Sequence, residues 1–511
     1  MKKIIKILLI STVTILLIFT IALPNSNEKE FENYLFNLNS NRKNFVNNSN
    51  PTDLSKYQIT YTDEKTVISK EKAGSLLEGK RVNISNINKI IPYEEAVEDI
   101  NIAFDILKYS YGAYEYFGGE DVFNKVKVDI LESLLNEESI KYDTIENLLF
   151  NGLEPIIKDG HFRAGNRLIN ANKNLITAVN KDYYFSYENN KYYTHVNNKR
   201  YYLKDIDGDS NIENYMKLTI SEDGSLTYSI GIFVNNNDSF ITKEITLVDT
   251  NGQELKEQVS INKNFIANKE ESIAYKEDSF QGIPILDVNS MRPKSSSDKS
   301  LDLFIESGQK YKDEPILIID LRGNTGGSDR YYLQWIKNYL GKYIDNTKSY
   351  IRKKSRLVLI QEIDMLENEQ HISKENEEVL NSFKKELESG EYEKWFSSSV
   401  KGEFTENENK IFVLIDKDVA SSGEGFVDTL RHMENVIFVG GNTRGCHLVT
   451  NLSHYQLPNS KVTLSFGDGI IIRAEGENND AIGFEPDIWV DSRDSLEATI
   501  TLINKYNLDK R

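Results

Sequence analysis

The spacing of hydrophobic positions changes several times along the chain, and it is most distinctive at the N-terminus. A nearly uninterrupted apolar run from Ile7 to Leu23 follows Lys2, Lys3 and Lys6. Such a run predicts a signal peptide or membrane anchor in residues 1–23, and the lysines before it place the rest of the chain outside the cell. The run is short for a spanning helix, and a small residue near its end suits signal peptidase. The cleaved and anchored forms both stay open.

Three further zones precede the last half of the chain. Residues 24–92 are polar and rich in Asn, Lys and Ser, which predicts a linker and a small N-terminal element. In residues 93–165 apolar side chains recur every three or four positions, which predicts a helical part. In residues 166–270 short Tyr-rich runs alternate with Asn-Asn, Asp-Gly and Asn-Gly pairs, which predicts an inserted antiparallel β domain.

The pattern in residues 271–505 is that of an α/β core. The apolar runs in Pro315–Asp320 and Ile411–Asp416 have the length of strands buried on both faces, and each is followed by a turn and a helical stretch. This succession predicts a mainly parallel sheet with its ligand site beyond the carboxyl ends of the strands. A charged, helix-prone stretch at about 350–396 is interpreted as a helical insertion, which either caps the site or is exposed to solvent away from it.

Composition excludes several classes of protein. The chain has 511 residues, so several domains are expected, and its 28 Tyr and 23 Phe exclude disorder as the main state. A net charge of −18 disfavours nucleic acid as a partner. The single cysteine, Cys446, excludes an internal disulfide framework and a multi-cysteine metal site. No His-Glu-x-x-His, P-loop or dinucleotide motif is present, so neither a metal nor another cofactor is expected.

Two turns offer candidate chemistry. The glycine-rich turn Gly323–Gly327 can bring backbone N–H groups together around an anion or an oxyanion. The turn Val419–Gly425 places Ser421 and Ser422 at the start of a predicted helix, where unpaired N–H groups favour developing negative charge. A serine there is either a nucleophile or an ordinary helix cap.

Five segments together resemble the C-terminal-processing and tricorn-type serine peptidases. They are, in chain order, Asp159-Gly160-His161, Asp320-Leu321-Arg322-Gly323-Asn324-Thr325-Gly326-Gly327, Ala420-Ser421-Ser422-Gly423-Glu424, Gly440-Gly441-Asn442-Thr443-Arg444-Gly445 and Gly483-Phe484-Glu485-Pro486-Asp487-Ile488. The resemblance covers about residues 94–165 and 275–505. It implies an α/β sandwich catalytic core, and cleavage of protein or peptide substrates through an acyl-enzyme without a cofactor.

The resemblance also implies roles for individual residues. Ser421 falls at the nucleophile position, while the position of the lysine in the Ser–Lys branch, 25 residues later, holds Cys446. This departure favours the tricorn-like Ser-His-Glu branch, in which His161 is the base. The acid is then Glu475, with Glu477 as the alternative.

The oxyanion hole implied by the same resemblance combines two backbone N–H groups. One is that of Ser422, and the other that of Gly326 or Gly327. The sequence thus predicts an exported serine peptidase that contacts a membrane only through its N-terminal segment. The missing lysine leaves an alternative, a catalytically inactive cell-surface protein on the same fold that holds peptide, lipid or glycan. Neither the oligomeric state nor the substrate preference follows from the sequence.

Overall fold

The computed structural model describes residues 26–77, 90–135, 137–169, 175–235, 241–264, 272–368, 374–390, 392, 394–474, 480 and 482–509. The apolar run predicted as a signal peptide or anchor, residues 1–23, lies outside these residues. Within the described ranges, no helix combines the length and the hydropathy needed to cross a bilayer.

Among the described residues of 163–288, strands follow one another without an intervening α-helix, whereas helices and strands are mixed before and after them. The helices are α1 (Ser26–Asn48), α2 (Glu64–Val67), α3 (Lys70–Ser75), α4 (Tyr93–Ser110), α5 (Gly119–Ser133), α6 (Tyr142–Leu153), α7 (Ser300–Lys310), α8 (Asp329–Leu340), α9 (Arg356–Glu367), α10 (Lys374–Ser389), α11 (Ser422–Leu430) and α12 (Ser495–Tyr506). The strands are β1 (Ile90–Pro92), β2 (Ser139–Lys141), β3 (Arg163–Ala164), β4 (Arg167–Leu168), β5 (Leu175–Val179), β6 (Ser186–Glu188), β7 (Lys191–Val196), β8 (Lys199–Ile206), β9 (Met216–Ile220), β10 (Leu226–Asn235), β11 (Ile241–Asp249), β12 (Glu254–Lys263), β13 (Tyr275–Phe280), β14 (Ile283–Val288), β15 (Ile316–Asp320), β16 (Lys348–Lys354), β17 (Lys394–Val400), β18 (Lys410–Ile415), β19 (Val436–Gly440), β20 (Val449–Gln456), β21 (Thr463–Arg473) and β22 (Ile488–Trp489).

A six-stranded sheet of order β13-β14-β15-β18-β19-β22 forms the centre of the α/β core. Only β13 runs antiparallel to its neighbour; the other pairs are parallel, as predicted. In β15, Leu317 and Ile319 pack with α7, α8 and α11, whereas Ile316 and Ile318 pack with α1 and α12. Every residue of β15 is buried because helices cover both faces of the sheet. The α/β core therefore has three layers.

The N-terminal region, for which the sequence predicts a linker and a small element, begins with a long helix. Residues 26–48 form the long helix α1, which buries Phe31 and Leu35 against the central sheet. The Arg42 guanidinium forms an ion pair of 2.7 Å with Asp487, next to β22. The many polar residues between these contacts lower the average hydropathy of the segment, so its helical period is hard to recognise in the sequence.

A second six-stranded sheet, antiparallel throughout, joins the helical part to the core. Its order is β17-β16-β21-β3-β4, with β20 also paired to β21. Ala164 of β3 lies opposite Leu464 of β21, so a strand of the helical part pairs with a strand of the core. No pattern in the sequence predicts this sheet. Helices α9 and α10 fill most of the predicted insertion at 350–396, and strands β16 and β17 flank them.

The inserted β domain is an eight-stranded antiparallel sheet of order β6-β7-β8-β11-β12-β5-β10-β9. The turn pairs predicted from sequence lie between its first strands: Asn189 and Asn190 have φ of 51° and 60°, and Asn197 and Asn198 have φ of 52° and 64°. Two consecutive positive φ angles are what a type I′ hairpin turn requires. The α/β class, with a helical N-terminal part and an inserted antiparallel domain, is confirmed.

Candidate active site

Ser421 occupies a sharp turn between β18 and α11. Its backbone has φ 52° and ψ −122°, a conformation that strains any residue with a Cβ. Its N–H donates to the Cys446 carbonyl (3.2 Å), and its own carbonyl accepts from the Gly425 N–H (2.9 Å). The hydroxyl makes no capping hydrogen bond to α11. The turn therefore holds Ser421 through its backbone, and its Oγ does not cap the helix.

The glycine-rich turn packs directly against this serine. A Cβ on Gly326 would lie 2.8 Å from the Ser421 Cβ and 2.9 Å from the Ser422 nitrogen, so only glycine fits there. The Gly326 N–H already donates to Asn324 Oδ1 (2.9 Å). Gly327, by contrast, lines the cavity in front of Ser421. Of the two glycines predicted for the oxyanion hole, the geometry favours Gly327.

Ser422 is the first residue of α11, so its N–H has no acceptor within the helix. It also lines the cavity beside Ser421. The Ser422 and Gly327 N–H groups are therefore the candidate donors to a developing oxyanion.

His161 lies on the loop between α6 and β3, and its side chain is 11 % exposed. Its Nδ1 is 3.9 Å from the Asp159 carboxylate, and it makes no hydrogen bond to any described residue. Burial, with a smaller effect of the Arg444 charge, lowers the pKa of His161 to about 4. The imidazole is therefore neutral at neutral pH, as a proton acceptor must be.

One cavity of about 620 Å³ brings the predicted groups together. His161, Ser421, Ser422 and Gly327 all line it. The pairing of β3 with β21 positions the first of these, and the carboxyl end of the central sheet positions the others. Residues from the helical part and from two turns of the core thus face the same space.

Asp480 ties the histidine loop to the segment that follows the serine. Its buried carboxylate accepts hydrogen bonds from the N–H groups of Gly160 (3.0 Å), His447 (2.6 Å) and Leu448 (2.8 Å). Burial raises the pKa of Asp480 to about 6. Burial, and next the charge of Asp480, raises the pKa of Asp159 to about 7. No local sequence pattern marks Asp480 as a site residue, because its hydrogen-bond partners are remote in the chain.

The glutamate of the Ser-x-x-Glu pattern also has a structural role. Glu424 is buried and accepts hydrogen bonds from Thr443 Oγ1 (2.6 Å), Gly445 N–H (2.7 Å) and Cys446 N–H (2.8 Å). It thereby fixes the segment whose carbonyl binds the Ser421 N–H.

Burial raises the pKa of the Cys446 thiol well above its ordinary value, which disfavours a thiolate at the position of the missing lysine.

Glu475 and Glu477, the two candidates for the triad acid, lie outside the described residues. The described residues on either side of them contact the surroundings of His161. Arg473 donates to the His447 carbonyl (3.0 Å) and contacts the ring of His447, and Asp480 binds the N–H next to His161. In the part of the chain that is described, no group of three or more His, Cys, Asp or Glu side chains is arranged to hold a metal ion.

Comparison with known families places the serine turn in a recognised domain. Residues 282–490 match Peptidase family S41. The matched region runs from β14 to β22 and includes Ser421, whereas His161 precedes it. Comparison with curated protein sequences gives no match.

Solved structures similar to this chain include a CPAF complex, a peptidase and a protease. Mature CPAF complexed with lactacystin has 14% identity and a TM-score of 0.42, over 81% of this chain and 99% of that chain. A putative peptidase from Parabacteroides merdae has 14% identity and a TM-score of 0.38, over 81% and 97%. The tricorn protease has 14% identity and a TM-score of 0.34, over 82% of this chain and 37% of that chain.

Proposed function

We propose that this protein is an exported serine peptidase that cleaves proteins or peptides through an acyl-enzyme, with Ser421, His161 and Glu475 as its triad. The observation that carries the proposal is the shared cavity, onto which a strained serine, a neutral histidine and two backbone donors all open. The match of residues 282–490 to Peptidase family S41 supports peptide bonds as the target. The apolar run from Ile7 to Leu23 supports export.

In the first step the Ser421 Oγ attacks the carbonyl carbon of the peptide, and its proton passes to His161. We assign the transfer to Nε2, because Nδ1 is buried and is the nitrogen that an acidic partner would hold. The carbonyl oxygen becomes an oxyanion that accepts from the Ser422 and Gly327 N–H groups. The imidazolium returns the proton to the leaving amine, and water then hydrolyses the ester by the same route.

A mere capping role for Ser421 has less support. Ser355 precedes α9 and accepts a hydrogen bond from the Val358 N–H (3.2 Å), as an N-cap serine does. Ser421 precedes α11 but makes no such bond, and it has a positive φ. A serine that is strained and contributes no cap is better explained by its hydroxyl facing the cavity.

The test compares two serine-to-alanine variants in a cleavage assay on an unfolded protein and a peptide library. Ser421→Ala should reduce cleavage by at least about 1000-fold, because it removes the nucleophile. Ser355→Ala is the matched control, since it removes a real cap. It should lower stability by about 1 kcal/mol and leave cleavage unchanged. Equal cleavage by Ser421→Ala and wild type would overturn the proposal and favour a binding protein on the same fold.

A further inference from the structure

The cavity at Ser421 is rich in positive charge although the chain carries a net charge of −18. The cations that line it are Arg292, Arg330, Lys348 and Arg473. Among the described lining residues, Asp329 is the single carboxylate. The described lining of the cavity therefore has a net charge opposite to that of the molecule as a whole.

Two of these cations directly oppose one another. Lys348 begins β16 and Arg473 ends β21, and they are register partners across the antiparallel pair. Like charges in such a position destabilise a sheet unless a counter-charge relieves them. Arg473 has one, since its Nε lies 2.7 Å from Asp428. Lys348 forms no ion pair within the described part of the chain.

The environment of Lys348 makes the absence of a partner costly. Its side chain is half-buried, and burial together with the Arg473 charge lowers the pKa of Lys348. Asp428, Asp329 and Asp345 act on it only at longer range. A desolvated ammonium facing a cavity is stabilised when an anion enters that cavity.

Arg330 also lies where the local electrostatic field is unfavourable for a positive charge. It is exposed in the first turn of α8, where the helix dipole disfavours a cation. Neither Arg330 nor the exposed Arg292 forms an ion pair with a described residue. Cations from four separate segments thus converge on the cavity, and among the described residues only Arg473 has a neighbouring carboxylate as its ion-pair partner.

We propose that this cavity selects substrates that carry an acidic side chain near the scissile bond, with Lys348 as the principal anion-binding residue and Arg330 assisting. The proposal rests on the proposed function, because it names the substrate class of the same site. A carboxylate can come from a Glu or Asp side chain or from the end of the peptide chain. We commit to the side chain, and the experiment separates the two sources.

The experiment measures binding, so that it does not depend on catalysis. Fluorescently labelled peptides that differ by one Glu or Gln, with the residue moved through successive positions, are titrated onto the full-length Ser421→Ala protein. At one or two positions the Glu peptide should bind about tenfold tighter than the Gln peptide, as expected for a charge-assisted contact. The preference should weaken as salt is raised, and it should persist when the peptide ends in an amide.

Three further variants in the same background locate the effect. Lys348→Gln should reduce the Glu/Gln ratio to about twofold or less, Arg330→Gln should reduce it partly, and Lys348→Arg should retain it. Lys342→Gln is the matched control, because it removes one exposed positive charge outside the cavity and should leave the ratio unchanged.

Equal binding of Glu and Gln peptides at every position, loss of the preference on amidation, or an equal effect of Lys342→Gln would overturn the proposal. Arg330 is exposed, so its variant is expected to fold even if Lys348→Gln does not. Failure of the proposed function would look different: wild-type protein would then cleave no peptide, whatever the Glu/Gln ratio in binding.

Discussion

Ser421 holds a backbone conformation that serine rarely adopts, and the surrounding contacts keep it there. Its N–H and its carbonyl are both hydrogen-bonded, to Cys446 and Gly425, while Gly326 fills the space behind it. Strain of this kind costs about 1–3 kcal/mol and persists only when the rest of the fold imposes it. A turn that served structure alone would have no reason to place a serine there.

This strain predicts an unusual response to glycine. The Ser421→Gly protein should be more stable than the Ser421→Ala protein by about 1 kcal/mol beyond the ordinary difference at a helix cap, because glycine tolerates a positive φ. Ser328→Gly and Ser328→Ala supply the control. Ser328 also caps a helix without a side-chain bond, but its φ is −117°. Urea unfolding of the four variants measures both differences, and equal differences at the two sites would show that Ser421 is not strained.

The identity of the triad acid can be tested through the pH dependence of activity. Burial, with a smaller effect of the Arg444 charge, lowers the pKa of His161 to about 4. An ionised carboxylate at Nδ1 would raise that pKa, since it favours the imidazolium. Activity needs the neutral imidazole, so kcat/KM falls as the pH drops through this pKa.

Glu475→Gln should therefore move the acid limb of kcat/KM to lower pH, towards about 4, and reduce its plateau, whereas Glu477→Gln should leave the limb unchanged. The profile of each variant between pH 3.5 and 8, on one peptide substrate, decides between them. The opposite result would identify Glu477 as the triad acid. If neither variant moved the acid limb, neither glutamate would be the triad acid.

Strong local motifs predict two of the candidate site residues, and the structure places both of them on one cavity. Ser421 stands in a Ser-x-x-Glu turn at a predicted strand end, and His161 in an Asp-Gly-His motif that ends the helical part. Whether Gly326 or Gly327 offers its N–H depends on the position of Asn324 Oδ1, which only the folded chain reveals. Arg473 and Lys348 line one cavity because β16 pairs with β21. No sequence motif predicts that pairing.

At the scale of elements, the site depends on contacts that hold the histidine loop to the core. Strand β3 pairs with β21, and Asp480 bridges the loop to the residues before β20. The parallel strands of the core follow from their apolar runs, so the sequence predicts them well. The second sheet could not be predicted in the same way, because its strands come from distant segments and its short members β3 and β4 have only two residues each.

The two buried carboxylates near this bridge predict how stability changes with pH. Asp159 and Asp480 have folded pKa values of about 7 and about 6, above the unfolded value of about 3.9. Their contribution to the free energy of unfolding is therefore fully present below about pH 4, and it is lost as the pH rises towards 7. His161, with its lowered pKa, contributes with the opposite sign between about pH 6.5 and 4.

Asp159→Asn removes one of these titrations and one charge next to Asp480. Relative to wild type, this variant should gain on the order of 2 kcal/mol in free energy of unfolding between pH 5 and pH 8. The His161 contribution is common to both proteins and cancels to a first approximation. Asp129→Asn, at an exposed position of α5, should show no such gain. An identical pH dependence for Asp159→Asn and wild type, by urea unfolding, would contradict the raised pKa.

At the scale of the whole molecule, the α/β core includes a helix from far outside residues 282–490, the region that matches Peptidase family S41. Helix α1 lies against the same face of the central sheet as α12, and the Arg42–Asp487 ion pair joins it to the residues before β22. The sequence predicts a linker and a small N-terminal element here because the segment is polar. The helix is recognisable only together with the sheet face that α1 covers. The composition of α1 alone gives no information about that face.

The contribution of α1 can be measured with two phenylalanines on the same helix. Phe31 is fully buried against the core, whereas Phe36 is 71% exposed. Phe31→Ala should lower the free energy of unfolding of the full chain by about 3–5 kcal/mol, and Phe36→Ala should change it by less than about 0.5 kcal/mol. Similar effects of the two substitutions, by urea unfolding, would mean that α1 does not stabilise the core.

The central claim is that folding brings the imidazole of the helical part to the hydroxyl of the core and thereby activates it. Reaction with a fluorophosphonate, followed by mass spectrometry of the labelled peptide, tests this claim most directly. We predict that wild-type protein is labelled on Ser421, that Ser421→Ala is not labelled, and that His161→Ala reacts about 1000-fold more slowly. Label on another residue, or equal rates for His161→Ala and wild type, would contradict the account.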